Sequence, residues 1–210
     1  VPPTPAMLRG LRVHQGAAAY LRAEDPYAHL QGLDEPVAQA RSLIQRYIAS
    51  YLQDVAPLFV EEAFAVKGLV GGRPDAVVLW EDQLCILELK TSAFPSVEHL
   101  SLSGQPDYYA WLFEQARGKA PRLIIIDIVS PDYITRVTRP PRPKVGLRLA
   151  QALMSLAASY DEAVALAVPH YGYWCQRCPF YVACRLRDED ADDAEILATS
   201  FTRGKNKEQR

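Results

Sequence analysis

The stretch that most limits what this chain can become is GGRPDAVVLWEDQLCILELKTS, residues 71–92. Its β-branched and apolar runs, interrupted by Glu81-Asp82-Gln83, read as two strands joined by a tight turn. Side chains on a strand alternate faces with period two, so Glu88 and Lys90 share one face and Cys85, Leu87 and Leu89 the other. A carboxylate and an ammonium inside an apolar strand are costly unless they pair or meet a cation. Asp75 stands at the head of the preceding strand, where a hairpin brings it beside Glu88. Two converging carboxylates make a hard oxygen site suited to Mg2+ or Mn2+. Such an ion polarises a phosphoryl oxygen and lowers the pKa of a bound water. Lys90 is then placed to orient that water or to offset charge growing on a phosphate. On spacing alone, an ordinary Glu–Lys surface pair on an edge strand explains these residues about equally well.

The flanking chain supplies an α/β frame. Thr4 before Pro5 is a helix start, and the helix runs through residues 5–22 with Gly10 and His14 four apart on one face. A second helix is expected from about Pro36 to Asp54, with Val37, Leu43, Ile44, Ile48 and Leu52 at helical spacing. LFVEEAFAV, residues 58–66, opens a meander of three strands. A helix follows over about 97–118, and Pro106 requires its regular part to begin near Ser103. RLIIIDIVS reads as a strand buried on both faces. Ser130-Pro131-Asp132 turns it into YITRV, a stiff basic loop spans Arg139 to Lys144, and a last helix covers about Val145 to Val168. This order predicts a central mixed sheet flanked by helices. Apolar residues make up 49 % of the chain, ample for such a core. A net charge of −2 provides no global basic field, so any nucleic acid must be held in a local groove. No apolar run approaches the roughly 20 residues needed to span a bilayer.

With these elements in place, Gly72-Arg73-Pro74-Asp75 followed by Glu88-Leu89-Lys90-Thr91 resembles the core motif of PD-(D/E)xK nucleases. Within that superfamily the chain is similar to the RecB-like branch, which includes phage exonucleases and the CRISPR-associated RecB-like exonucleases. Gly10-Leu11-Arg12-Val13-His14 matches that branch's G-x3-H, and Gln105-Pro106-Asp107-Tyr108-Tyr109 its Q-x3-Y. The resemblance implies a restriction-endonuclease-like fold. It also implies a metal bound by His14, Asp75, Glu88 and the carbonyl of Leu89, a catalytic Lys90, and DNA contacts from Gln105 and Tyr109. Glu61 or Glu62 matches an acidic position of the branch, and alternation does not say which faces the site. Read without the resemblance, His14 is a helix histidine with a satisfied hydrogen bond, and Gln105 and Tyr109 are a surface pair one turn apart.

Cys175, Cys178 and Cys184 form a C-x2-C-x5-C run whose thiolates suit a tetrahedral metal or an iron–sulfur cluster. The run resembles the C-terminal segment of RecB-like nucleases, which implies a 4Fe–4S cluster closed by a cysteine from upstream of the G-x3-H helix. The first residues, Val1-Pro2-Pro3-Thr4-Pro5, read as the middle of a connection, and an N-terminal segment holding that cysteine is expected to be missing. Two other readings stand: Zn2+ with His170 as the fourth ligand, or three unliganded thiols. Cys85 reads as a small buried hydrophobe.

The expected organisation is one nuclease domain over residues 1–187, including the cysteine segment 170–187, and a partly disordered tail over 188–210. The expected function is a Mg2+- or Mn2+-dependent DNA nuclease, an exonuclease acting on single strands or ends in recombination, repair or CRISPR adaptation alongside the proteins of such a system. The other function carried forward is a DNA-end-binding module on the same fold with little or no catalysis. No membrane partner is expected. Four cysteines without a secretory leader point to the cytoplasm, or the host cytoplasm if phage-encoded. Arg139, Arg142 and Lys144, with Tyr108, Tyr109 and Trp111, offer a path for a strand, though a stiff loop and a core edge explain them more simply.

Overall fold

A computed structural model of the chain describes residues 4–32, 35–66, 70–91 and 103–158. These residues fall within the compact unit Val1–His170. Two helices come first. α1, Pro5–Leu21, is capped by Thr4, whose hydroxyl accepts from the Met7 N–H at 3.3 Å, and it buries Val13, Ala17 and Leu21. α2, Glu35–Ser50, buries Val37, Ala40, Leu43, Ile44 and Tyr47, so one apolar stripe decides how it docks. Regular helix stops at Ser50, short of the expected Asp54. A 3-10 turn over Leu52–Asp54 replaces its end and still buries Leu52.

The expected strand over 58–66 is in fact two. β1, Ala56–Val60, joins the main sheet, and β2, Phe64–Val66, pairs with β3, Val70–Gly72, in a separate two-stranded sheet. The break falls at Glu61, whose φ of 49° lies in the left-handed region and turns the chain out of line. β4, Ala76–Trp80, and β5, Gln83–Thr91, form the predicted hairpin, with Ala76 opposite Leu87. α3, Gln105–Arg117, starts after Gly104 with Pro106 in its first turn, and Gly118 closes it with φ 67°. The portion of the expected helix over 97–102 lies outside the described residues. β6, Leu123–Val129, and β7, Ile134–Arg139, are joined through Ser130–Tyr133, the predicted turn. α4, Pro143–Ala158, begins two residues earlier than expected, on a proline that suits a first helical turn.

The main sheet has the order β1-β4-β5-β6-β7. Only β5 and β6 are parallel, linked by the crossover that contains α3; all other neighbours are antiparallel. This is the mixed sheet of the restriction-endonuclease-like fold. One face, with Ala76, Val78, Leu87, Leu89 and Ile125, packs against α1 and α2. The other, with Val77, Ile86, Ile124, Ile126 and Ile128, packs against α3 and α4. Burial of β6 on both faces explains its unbroken apolar run, and the period-two rule has sorted every one of these side chains. Cys85 is fully buried on the α1–α2 face, as expected of a small hydrophobe. No helix among the described residues is long and apolar enough to cross a membrane.

Candidate active site

The parallel pair β5–β6 carries the site at the end of β5. Glu88 and Lys90 project from the same face, and the Lys90 Nζ donates to Glu88 Oε1 at 2.6 Å. Glu88 is almost wholly buried, at 4 % exposure. Lys90 also donates to Gln105 Oε1 at 2.8 Å, and the Gln105 amide donates to the Tyr109 hydroxyl at 2.9 Å. Helical spacing of four residues lets Gln105 and Tyr109 meet, and Pro106 in the first turn removes only an N–H that no helix carbonyl would have taken. Gln105 is therefore directed at Lys90 and Tyr109 holds Gln105 there, roles that spacing in the sequence did not disclose.

Asp75 sits one residue before β4 and uses both carboxylate oxygens. Oδ2 accepts from the Leu89 N–H at 2.7 Å, and Oδ1 lies 3.2 Å from His14 Nδ1. An ionised carboxylate only accepts, so Nδ1 carries the hydrogen there, and in the neutral ring Nε2 then holds the lone pair. α1 can bring His14 this close because Gly10, one turn earlier, lies against the end of β5. A Cβ at that position would stand 2.5 Å from Thr91 Oγ1. The glycine of G-x3-H thus has a packing reason: only a bare Cα lets the helix approach the strand.

Of the two acidic candidates on the preceding segment, Glu61 faces the site. It lines a small cavity with His14, Asp75 and Leu89, held there by Arg22 at 3.0 Å. Glu62 turns away to an exposed pair with Arg117 at 2.6 Å. The left-handed backbone at Glu61 is what sends the two side chains to different places.

Burial first, and then the Asp75 charge, push the Glu88 carboxyl up to about 7 against the pull of Lys90. Among the described residues no group of three or more His, Cys, Asp and Glu side chains is gathered closely enough to hold a metal ion. Glu88 is turned to Lys90, and Asp75 to Leu89 and His14. The donors nonetheless suit a divalent cation: two carboxylates whose mutual repulsion helps raise one of them, and an imidazole nitrogen, are hard or borderline ligands. Each Asp75 oxygen retains a second lone pair beyond its hydrogen bond.

Arg139 and Arg142 do not form an open basic path. Both bind Asp107, whose side chain is fully buried: Arg139 contributes two bonds of 2.7 Å, and Arg142 two more of that length, from its backbone N–H and Nη2, with Nε at 3.2 Å. Arg139 itself closes β7 instead of lying in a loop. The two guanidiniums also donate to the Ser103 carbonyl at 3.0 and 3.2 Å, fixing the start of α3 from which Gln105 reaches Lys90. Trp111 stacks on Tyr108 at 6.3 Å within the α3–α4 core, as the plainer view of the aromatics held. A second buried acid, Asp127 on β6, is gripped by Arg136 through two 2.7 Å bonds and by the Tyr47 hydroxyl at 2.7 Å. A lone acid within an apolar run was the available signal for it, since a buried charge requires partners. Cys175, Cys178, Cys184 and His170 lie outside the described residues.

The profile described as the PD-(D/E)XK nuclease superfamily matches residues 5–185. No curated protein matches the chain. Among solved structures, similarity is found to a protein of Eubacterium rectale described as a presumed exonuclease. The two share 12 % identity over 88 % of this chain and 75 % of that one, with a TM-score of 0.51. At that identity the likeness concerns the fold. A structure of SSO0001 aligns over 84 % of this chain and 82 % of its own at 19 % identity, with a TM-score of 0.36.

Proposed function

Because the chain belongs to the PD-(D/E)XK nuclease superfamily, we propose that it is a divalent-metal-dependent deoxyribonuclease of the RecB-like branch, acting as an exonuclease on single strands or ends. Nucleases of this superfamily generally use divalent metals. The observation that carries the reading is the buried Glu88–Lys90 pair, with Gln105 on the ammonium and Asp75 charged nearby. A structural surface pair has no need of that burial, which costs desolvation without a compensating gain in stability.

In this reading Asp75 and Glu88 hold Mg2+ or Mn2+, with His14 and the Leu89 carbonyl completing the ligands. The bound cation supplies Lewis-acid polarisation of the scissile phosphate. Lys90 presents a fixed positive charge to the phosphate oxygens as negative charge grows on them. Gln105, itself held by Tyr109, keeps the ammonium at that spot, so little side-chain freedom is lost during the reaction, and both residues border the DNA. His14 fixes the orientation of Asp75, and the Leu89 N–H fixes its height along β5.

We further propose that Cys175, Cys178 and Cys184 serve a structural clip, holding either a 4Fe–4S cluster or Zn2+ completed by His170. Colour and metal analysis of the full-length protein distinguish these, and a colourless, metal-free protein removes both. Recombination, repair or CRISPR adaptation is the setting this reading favours, with other proteins of such systems as partners.

The deciding assay incubates end-labelled single- and double-stranded DNA with the protein in Mg2+, Mn2+ or EDTA. Stepwise shortening with either ion and none in EDTA is expected. Binding without cleavage in both metals would replace this reading by that of a DNA-end-binding module.

A further inference from the structure

A groove of about 500 Å3 opens between the first half of α1 and the β6–β7 turn, and His14 forms part of its wall. Its floor is apolar, from the buried Val13, Leu43 and Val129, and Pro131 stands on the far side. Two large apolar side chains of α1 reach it while remaining in solvent: Met7 is 64 % exposed and Leu11 56 %. Met7, Leu11 and His14 fall at helical positions i, i+4 and i+7, so they form one stripe along α1. Seven residues cover about 10 Å of helix axis, and the stripe ends at the residue that contacts Asp75. Arg9 lies at the rim, its guanidinium steadied by Gln39 Oε1 at 3.0 Å. Thr91 adds a hydroxyl where the groove meets the end of β5.

We propose that this groove binds an unpaired base of a single DNA strand beside the Asp75–Glu88 site. The proposal rests on the nuclease reading above and adds the form of DNA that the site accepts. In a duplex the base faces are stacked inside and the outer surface is phosphate, so an apolar groove gains nothing from it. An unpaired base offers a flat, apolar face to Met7 and Leu11, and a thioether makes favourable contacts with aromatic rings. The volume is that of a small-molecule site, enough for a base and its sugar. Arg9 at the rim supplies a cation for the adjoining phosphate. His14 lines both this groove and the small cavity at Asp75, so the two adjoin at that residue.

The test is equilibrium binding of fluorescein-labelled oligothymidylate, and of an abasic strand of the same length, in EDTA buffer. Wild type and a Met7→Gln/Leu11→Gln variant are compared, with thermal melting to confirm that the exposed changes leave the fold intact. Wild type is expected to bind the base-bearing strand roughly 2- to 12-fold more tightly than the abasic one, the range of a thioether–aromatic contact. The variant should lose that margin and keep its affinity for the abasic strand. Equal binding of both strands by wild type, or an undiminished margin in the variant, would overturn the proposal. Cleavage by wild type in Mg2+ or Mn2+ is scored separately. Its absence tells against the nuclease reading, whereas the margin alone decides the groove.

Discussion

Lys90 Nζ and Glu88 Oε1 lie 2.6 Å apart on one face of β5, and Gln105 holds the same ammonium at 2.8 Å from the other side of the crossover. Lys90→Ala removes the only one of these groups able to place positive charge on a phosphate. Cleavage should fall by about 100- to 1000-fold, the scale of one lost transition-state donor, with the far-ultraviolet circular dichroism spectrum unchanged. A variant that cuts DNA at the wild-type rate would remove Lys90 from the mechanism.

Glu88 makes stability depend on pH in an unusual sense. Its carboxyl titrates at about 7 in the folded chain, against 4.5 as the ordinary value. Between those values the unfolded chain has released the proton that the folded chain still holds. Stability of the metal-free protein must therefore fall as pH rises through that window, and below it the effect is absent. The full loss is on the order of 3 kcal/mol. Urea denaturation of wild type and Glu88→Gln from pH 4 to 8 checks this: the variant's curve should be flatter between about 4.5 and 7.

Metal binding should show the complementary dependence. Cation ligation requires ionised Glu88, so Mg2+ or Mn2+ affinity is expected to rise with pH through about 7 and then level off. Isothermal titration in two buffers of different ionisation enthalpy should detect about one proton released per ion near pH 6 and almost none near pH 8. Proton release equal at both pH values would mean that Glu88 does not ligate the ion.

Asp107 is the anchor of α3. Asp107→Ala leaves Arg139 and Arg142 without their shared buried carboxylate, and loss of one partner from such a group costs about 3–5 kcal/mol. A fall of several degrees in Tm is expected, larger than for Glu62→Ala, whose pair with Arg117 is exposed on both sides. Equal effects of the two substitutions would show the clamp to be dispensable.

Gly10→Ala places a methyl 2.5 Å from Thr91 Oγ1 and should cost about 1–3 kcal/mol while also displacing His14. Gly10→Ala/Thr91→Ala should recover much of that loss, because the clashing oxygen is gone. A double-mutant cycle by chemical denaturation reads the coupling directly. Strict additivity of the two changes would mean that α1 shifts freely away from β5.

Much of the site was readable because strand geometry is local. Period two alone sorted Glu88 and Lys90 from Cys85, Leu87 and Leu89, and the turn at Glu81-Asp82-Gln83 set Asp75 beside Glu88. Helix signals did as well where caps were explicit, at Thr4 and around Pro106. The strand expected over residues 58–66 failed because one left-handed residue, Glu61, splits a run whose composition is uniformly strand-like. A positive φ at a glutamate has no compositional mark.

By itself the chain determined which side chains share a face and which segments are strand or helix, since those follow from neighbours one to four residues away. Folding decided the partners. It turned Glu61 toward Asp75 and Glu62 toward Arg117, drew Arg139 and Arg142 onto Asp107, and set Arg136 and Tyr47 on Asp127. Most of these contacts join residues tens of positions apart in the chain. A buried charge must find a counterpart somewhere, but only the packing of helices on a particular sheet selects which one is within reach.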